Sequence, residues 1–128
     1  MNQQEPTHVN DMKGKGGITR IINAAHYSKD GLHAAWQNEA AFRQLVWLNG
    51  ILLILVWCLD LGNNTRMILI TASFLSLIVE LFNTGIEAIV DYISLEKHPL
   101  AKRAKDVGSA AQLLAMILLT ILWGIALF

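Results

Sequence analysis

Val79-Glu80-Leu81-Phe82-Asn83-Thr84-Gly85-Ile86-Glu87-Ala88-Ile89-Val90-Asp91 sets three carboxylates and an amide inside an otherwise apolar run. At 3.6 residues per turn, Glu80, Asn83, Glu87 and Asp91 stand at i, i+3, i+7 and i+11 and share one narrow sector of a helix. A charged carboxylate near a bilayer centre costs about 2.5–3.5 kcal/mol on insertion scales, so such a face must look into a bundle, a cavity or a bound cation.

The surroundings make the bilayer the expected solvent. The chain has 128 residues, 54% hydrophobic and 16% charged, which is too apolar for an ordinary soluble domain. The expected fold is an all-α membrane protein with three transmembrane helices, at residues 45–61, 67–90 and 110–128, and an N-terminal amphipathic surface helix at 17–44. Trp47 and Trp57 near the ends of the first span fit interface anchors. Gly62-Asn63-Asn64-Thr65 is turn chemistry with an N-cap for the next helix. Residues 1–16 are polar and are expected to form a flexible cytoplasmic tail, without the apolar core of a signal peptide. Residues 17–128 then make one membrane domain.

Net charge is zero, but the charges are segregated. Lys13, Lys15, Arg20, Lys29 and Arg43 precede the first span, Lys97, Lys102, Arg103 and Lys105 lie between the second and third, and only Arg66 lies between the first and second. The positive-inside rule puts the N-terminus and the second loop in the cytoplasm and the C-terminus opposite. No basic stripe suggests nucleic acid. The lone Cys58 excludes an intrachain disulfide.

In the surface helix, Ile18, Ile21, Ile22 and Ala25 recur at helical spacing. Ser28-Lys29-Asp30-Gly31 predicts a bend or restart, after which Leu32, Ala35, Trp36 and Ala40 continue the apolar side, with Trp36 at headgroup depth. Small residues, among them Ser73, Ser76, Thr84, Gly85, Gly108 and Ser109, would permit close helix approach in lipid. The acidic face needs more shielding than two neighbouring helices supply, which predicts a homo-oligomer.

Three clusters could carry chemistry. Glu80 and Glu87 are about 10 Å apart along a helix axis, too far to bind one ion alone. The deeper Glu80 suits a general base taking a proton from a substrate hydroxyl, and the shallower Glu87 suits an oxygen ligand to Mg²⁺ together with substrate phosphates. Polar contacts across a bundle are the plainer account of such residues. Glu39, on the apolar side of the surface helix, could join Glu87 at one cation, although an ion-paired or solvated Glu is the ordinary case. Lys102-Arg103-Ala104-Lys105-Asp106 would by default set topology and meet anionic headgroups. Beside an acidic face, Lys105 could instead neutralise nucleotide phosphates while Asp106 holds Lys105 or a second cation. There is no GxxxxGK[ST] loop or kinase Gly-rich loop, and His98 beside Pro99 is expected to be a solvated loop residue within reach of a nucleotide.

Three separated motifs, Ala34-Ala35-Trp36-Gln37-Asn38-Glu39-Ala40-Ala41-Phe42-Arg43-Gln44, the acidic stretch, and Arg103-Ala104-Lys105-Asp106-Val107-Gly108-Ser109-Ala110-Ala111, resemble the small integral-membrane diacylglycerol kinases of bacteria. The resemblance implies a homotrimer in the bacterial inner membrane that uses MgATP to phosphorylate diacylglycerol at the cytoplasmic face. It implies Glu80 as catalytic base supported by Asn83, and Glu39 and Glu87 as carboxylates holding Mg²⁺ and the ATP phosphates. Lys105 and Asp106 would bind nucleotide with Arg20, Tyr27 and the loop Glu96, Lys97 and His98. Ser109, Lys29, Trp36, Arg43, Gln44 and Trp123 would help place the lipid. Leu45 stands where an acidic residue is expected, Lys29 where an aromatic is expected and His33 where an Arg is expected. A related branch phosphorylates undecaprenol. A proton or cation pathway, and a purely structural membrane protein, are the other classes that intramembrane carboxylates fit.

Overall fold

The computed structural model describes residues 16–128, so the expected tail, Gly16 apart, lies outside the described residues. Those residues form four helices and no strand: α1 (Gly17–Asn38), α2 (Ala40–Cys58), α3 (Asn63–Ile93) and α4 (Pro99–Leu127). The last three are long and apolar enough to cross a membrane. At 1.5 Å per residue the 19 residues of α2 reach only about 28 Å, roughly the hydrocarbon thickness, whereas the 31 residues of α3 reach about 46 Å. Part of α3 must therefore project past the apolar layer.

The chain divides into two units at Ala34. In the first, α1 runs unbroken through Ser28-Lys29-Asp30-Gly31, where a bend was expected. Gly31 has no neighbour that a Cβ would meet, and a single exposed helical glycine costs only about 1 kcal/mol relative to Ala, too little to stop the helix. Ile18 and Ile21 are among its exposed side chains, at 77% and 71%.

The break comes instead at Glu39, which leaves helical geometry (φ −119°, ψ 106°) and separates α1 from α2. Residues 40–44, expected on the surface helix, belong to the first spanning helix. Neither glycine nor proline marks the place. Arg43 secures it: its Nη1 donates to the Trp36 carbonyl at 2.6 Å and the Gln37 carbonyl at 3.3 Å, satisfying acceptors at the end of α1.

At the α2–α3 turn, Gly62 is the N-cap residue and no side chain caps the helix, contrary to the expectation for the Asn-Asn-Thr segment. Arg66 ties the turn together. Its Nε donates to the Val56 carbonyl at 3.1 Å, its Nη2 to the Leu59 carbonyl at 3.2 Å, and its guanidinium lies 5.5 Å from the Trp57 ring centre. The lone basic residue between the first two spans thus also consumes carbonyls left over at the end of α2.

Above the turn, Val56, Leu69, Ala72, Leu119 and Trp123 form a buried apolar cluster drawn from α2, α3 and α4. The next level is polar. Asn49 Nδ2 donates to Ser76 Oγ at 3.0 Å and to the Leu45 carbonyl at 2.9 Å, while Ser76 Oγ donates to the Ser73 carbonyl at 2.8 Å. Ser73 and Ser76 are fully buried, as their small size allows, whereas Gly85 meets nothing within 4 Å and mediates no helix contact within the chain.

Lipid is as apolar as leucine, so truncating a core side chain loses packing more than transfer free energy. Leu69→Ala is expected to destabilise the detergent-solubilised protein by about 1–2 kcal/mol, against less than about 0.5 kcal/mol for Ile54→Ala on the exposed face of α2. Denaturant titration in micelles followed by circular dichroism measures both.

Candidate active site

The two longest helices run antiparallel, and their register sets the acidic face. Pro99 occupies the first turn of α4, where its missing N–H and fixed φ are tolerated, and His98 caps the helix by accepting the Leu100 N–H on Nδ1 at 3.1 Å. Between the spans expected at 67–90 and 110–128, the loop is thus only residues 94–98, because α3 continues to Ile93 and α4 begins at Pro99. The basic cluster is helical. His98 is exposed and outside the helix, as expected of a loop residue, and is also the N-cap of α4.

Helical placement fixes the partners of those residues. Lys105 Nζ donates to Asp91 Oδ1 at 2.6 Å, and Asp106 pairs with Lys102 one turn away on the same helix. The expectation that Asp106 holds Lys105 is corrected: they are sequence neighbours and point apart on a helix, whereas Asp91 faces Lys105 across the α3–α4 contact. Asp91, with no assigned role from sequence, is the anchor of that lysine. The pair is half exposed, at 41% and 49%, so it orients Lys105 more than it stabilises the fold.

About one turn deeper along α4, Gly108 is buried against α3. A Cβ there would run into Asn83 Oδ1 and then meet Ile86, so glycine is what lets the two helices close at the level of the amide. Asn83 directs its Nδ2 to Glu87 Oε1 at a long 3.5 Å, whereas support of Glu80 was expected. One turn of α3 separates the two carboxylates from Asn83 in opposite directions, and the amide has turned to the shallower one.

Glu80 is 4% exposed, the most buried ionisable group of the described residues. Glu87 and Glu39 are partly buried, and both act electrostatically on Glu80. Glu87 also acts on Lys105. The break at Glu39 leaves a third carboxylate within electrostatic range of Glu80. Among the described residues no group of three or more His, Cys, Asp or Glu side chains is close enough to hold a metal alone.

Beside this face lies a cavity of about 740 Å³ lined by Asp91, Ser94, Glu96, Lys97, His98, Lys102, Lys105 and Asp106 among others. Glu96, Lys97, His98, Lys105 and Asp106, scattered over eleven positions of sequence, are thus brought to one hollow of a size that takes a nucleotide. Ser94 Oγ accepts the Glu96 N–H at 3.0 Å and shapes its rim.

Other expected residues fall elsewhere. Trp123 is 8% exposed in the apolar cluster with Leu69, about 16 Å along α4 from the level of Glu80, and does not belong to the acidic site. The antiparallel register sends the C-terminal end of α4 away from the carboxylates. Arg43 is engaged with the α1 carbonyls, Ser109 and Gln44 are exposed, and Trp36 is 38% exposed. Arg20, Tyr27 and Lys29 stand on exposed turns of α1 within the first unit. Overpacking the helix contact should be costly: Gly108→Val is expected to destabilise by about 1–3 kcal/mol, whereas Gly85→Ala stays neutral or stabilises by less than about 1 kcal/mol, as thermal unfolding in detergent would show.

Comparison with known proteins identifies the family of the chain. Residues 26–127 match the model of the prokaryotic diacylglycerol kinase family. A diacylglycerol kinase of Pseudomonas aeruginosa is 51% identical over 111 residues, covering 87% of this chain and 90% of its own. One from Escherichia coli is 51% identical over 113 residues (88% and 92%), and one from Helicobacter pylori 47% over 108 residues (84% of each). With three helices able to span a bilayer and a match over most of its length, the chain belongs to the prokaryotic diacylglycerol kinase family.

Proposed function

We propose that this kinase transfers the γ-phosphoryl group of ATP to the free hydroxyl of diacylglycerol, giving phosphatidic acid at the cytoplasmic face of a bacterial inner membrane. The observation that carries the mechanism is the grouping of Glu39, Glu80 and Glu87 within electrostatic range beside the Lys105–Asp91 pair. Phosphoryl transfer asks little covalent chemistry of a protein; it asks for positioning, charge neutralisation and a base for the nucleophile. In this chain those tasks separate by depth.

Glu80, buried at the apolar end of the face, meets the lipid hydroxyl and accepts its proton as the hydroxyl oxygen bonds to the γ-phosphorus and the bond to the ADP oxygen breaks. Glu39 and Glu87 would hold Mg²⁺, which when bound neutralises phosphate charge and orients the transferring group. Lys105, steered by Asp91, meets the phosphates as a point charge, and the cavity along residues 94–98 takes the rest of the nucleotide. Arg43, holding the end of α1, positions the segment that presents Glu39.

Nine of the ten basic residues fall on the side that the positive-inside rule makes cytoplasmic, the same side as the proposed nucleotide cavity. Most of each spanning helix is left uncovered by the other two, which supports a homo-oligomer, with a trimer expected from the family resemblance. A cation pathway would use Glu80 and Glu87 but has no use for the Lys105–Asp91 pair or for a kink that delivers Glu39.

Purified protein in mixed micelles, given labelled ATP, Mg²⁺ and either diacylglycerol or undecaprenol, is expected to label diacylglycerol. Label on undecaprenol instead would reassign the acceptor, and label on neither would end the kinase reading. Glu80→Gln should lower kcat by about 10²–10⁴-fold with ATP binding retained. Glu87→Gln should raise the KM for MgATP more than it lowers kcat.

A further inference from the structure

The inner seam of α4 runs through Gly108, Ala115, Leu119 and Trp123, all buried against the bundle. Gln112 occupies the turn between the first two and is the one amide on that seam. Its Nε2 and Oε1 are both buried and neither has a hydrogen-bond partner. Two adjacent unpaired polar atoms inside a membrane bundle are unfavourable, and an apolar side chain of the same length would pack there without that penalty. An amide in this place calls for a partner that arrives later.

The register says where it points along α3. Lys105 lies opposite Asp91, Gly108 opposite Asn83 and Ile86, and Leu119 and Trp123 join Leu69 and Ala72. One turn on from Gly108 along α4 corresponds, in an antiparallel pair, to one turn back from Asn83 along α3. That brings Gln112 to the level of Glu80, with the Asn83 amide already turned away toward Glu87. Asn83 Oδ1 is likewise buried and unpaired beside Gly108.

We propose that Gln112 is a positioning residue for phosphoryl transfer: its Nε2 donates to the Glu80 carboxylate in the reacting complex and sets the direction in which that carboxylate receives the hydroxyl proton. This rests on Glu80 being the base. It assigns to α4 a polar contribution to the deep end of the site, where α3 supplies the carboxylate.

The test compares the full-length parent with Gln112→Met and Gln112→Leu in mixed micelles, reading kcat, both KM values, oligomeric mass and thermal midpoint. Loss of orientation is expected to lower kcat about tenfold or more, since displacing a catalytic group by an ångström has effects of that order. Both KM values should stay within about twofold, the mark of an interaction made in the transition state. The midpoint should be unchanged or higher, because unpaired amide atoms have been removed. A kcat equal to the parent's would overturn the proposal, and so would a fall in kcat that accompanies a lower midpoint or a smaller oligomer, which would make Gln112 an assembly contact. Glu80→Gln, assayed in parallel, separates the two claims. If it is inactive while Gln112→Met runs at the parental rate, only the Gln112 proposal fails; if it turns over, the base assignment itself fails.

Discussion

Carboxylates carried into an apolar bundle must be supplied with donors, a cation or water, because a low-dielectric medium gives their charge no other compensation. Glu87, two turns away on the same helix, and Glu39, from the α1–α2 break, both act on Glu80, so like charges are gathered rather than dispersed. Mutual repulsion of this kind is relieved by a bound cation and by the positive end of a neighbouring side chain. The remaining features of the chain can be understood as ways of holding that acidic face open on one side and sealing it on the other.

The seal is built by small residues and neutral hydrogen bonds. Gly108 lets α4 approach α3 at Asn83, and Asn49, Ser73 and Ser76 fill the next level with bonds between side chains and carbonyls rather than with charge. Below them the Val56, Leu69, Ala72, Leu119 and Trp123 cluster is wholly apolar. Polarity therefore grades from a dry end near the α2–α3 turn, through neutral amides and hydroxyls, to a buried carboxylate and then to the half-exposed Lys105–Asp91 pair. A substrate with an apolar body and one hydroxyl matches that gradient, and a nucleotide matches its wet end.

Much of this was legible in the sequence because it depends on local periodicity. The acidic stripe at i, i+3, i+7 and i+11, the three apolar runs and the segregation of basic residues all follow from spacing alone. What escaped depends on tertiary register or on two-residue geometry. The kink at Glu39 has no glycine or proline to announce it and is held by Arg43 reaching back across it, while Ser28-Lys29-Asp30-Gly31, with every local sign of a break, stays helical. Pro99 suggested a loop but starts a helix, which moved Lys102 to Asp106 onto a regular face and changed who pairs with whom. Trp123 was assigned to the lipid site by likeness of motif, but the antiparallel course of α4 carries it to the opposite end. Gln112 is a single amide in an apolar run, and a lone residue carries no periodicity that would mark it.

The central claim is a division of labour among three carboxylates on one acidic face: two for the cation and one for the proton. Mn²⁺ bound with a non-hydrolysable ATP analogue, followed by electron paramagnetic resonance, measures it without turnover. Glu39→Gln and Glu87→Gln should each weaken Mn²⁺ binding, with the double variant little worse than either single one, and Glu80→Gln should bind like the parent. Equal weakening by Glu80→Gln, or full Mn²⁺ affinity in the Glu39→Gln and Glu87→Gln variants, would contradict the division.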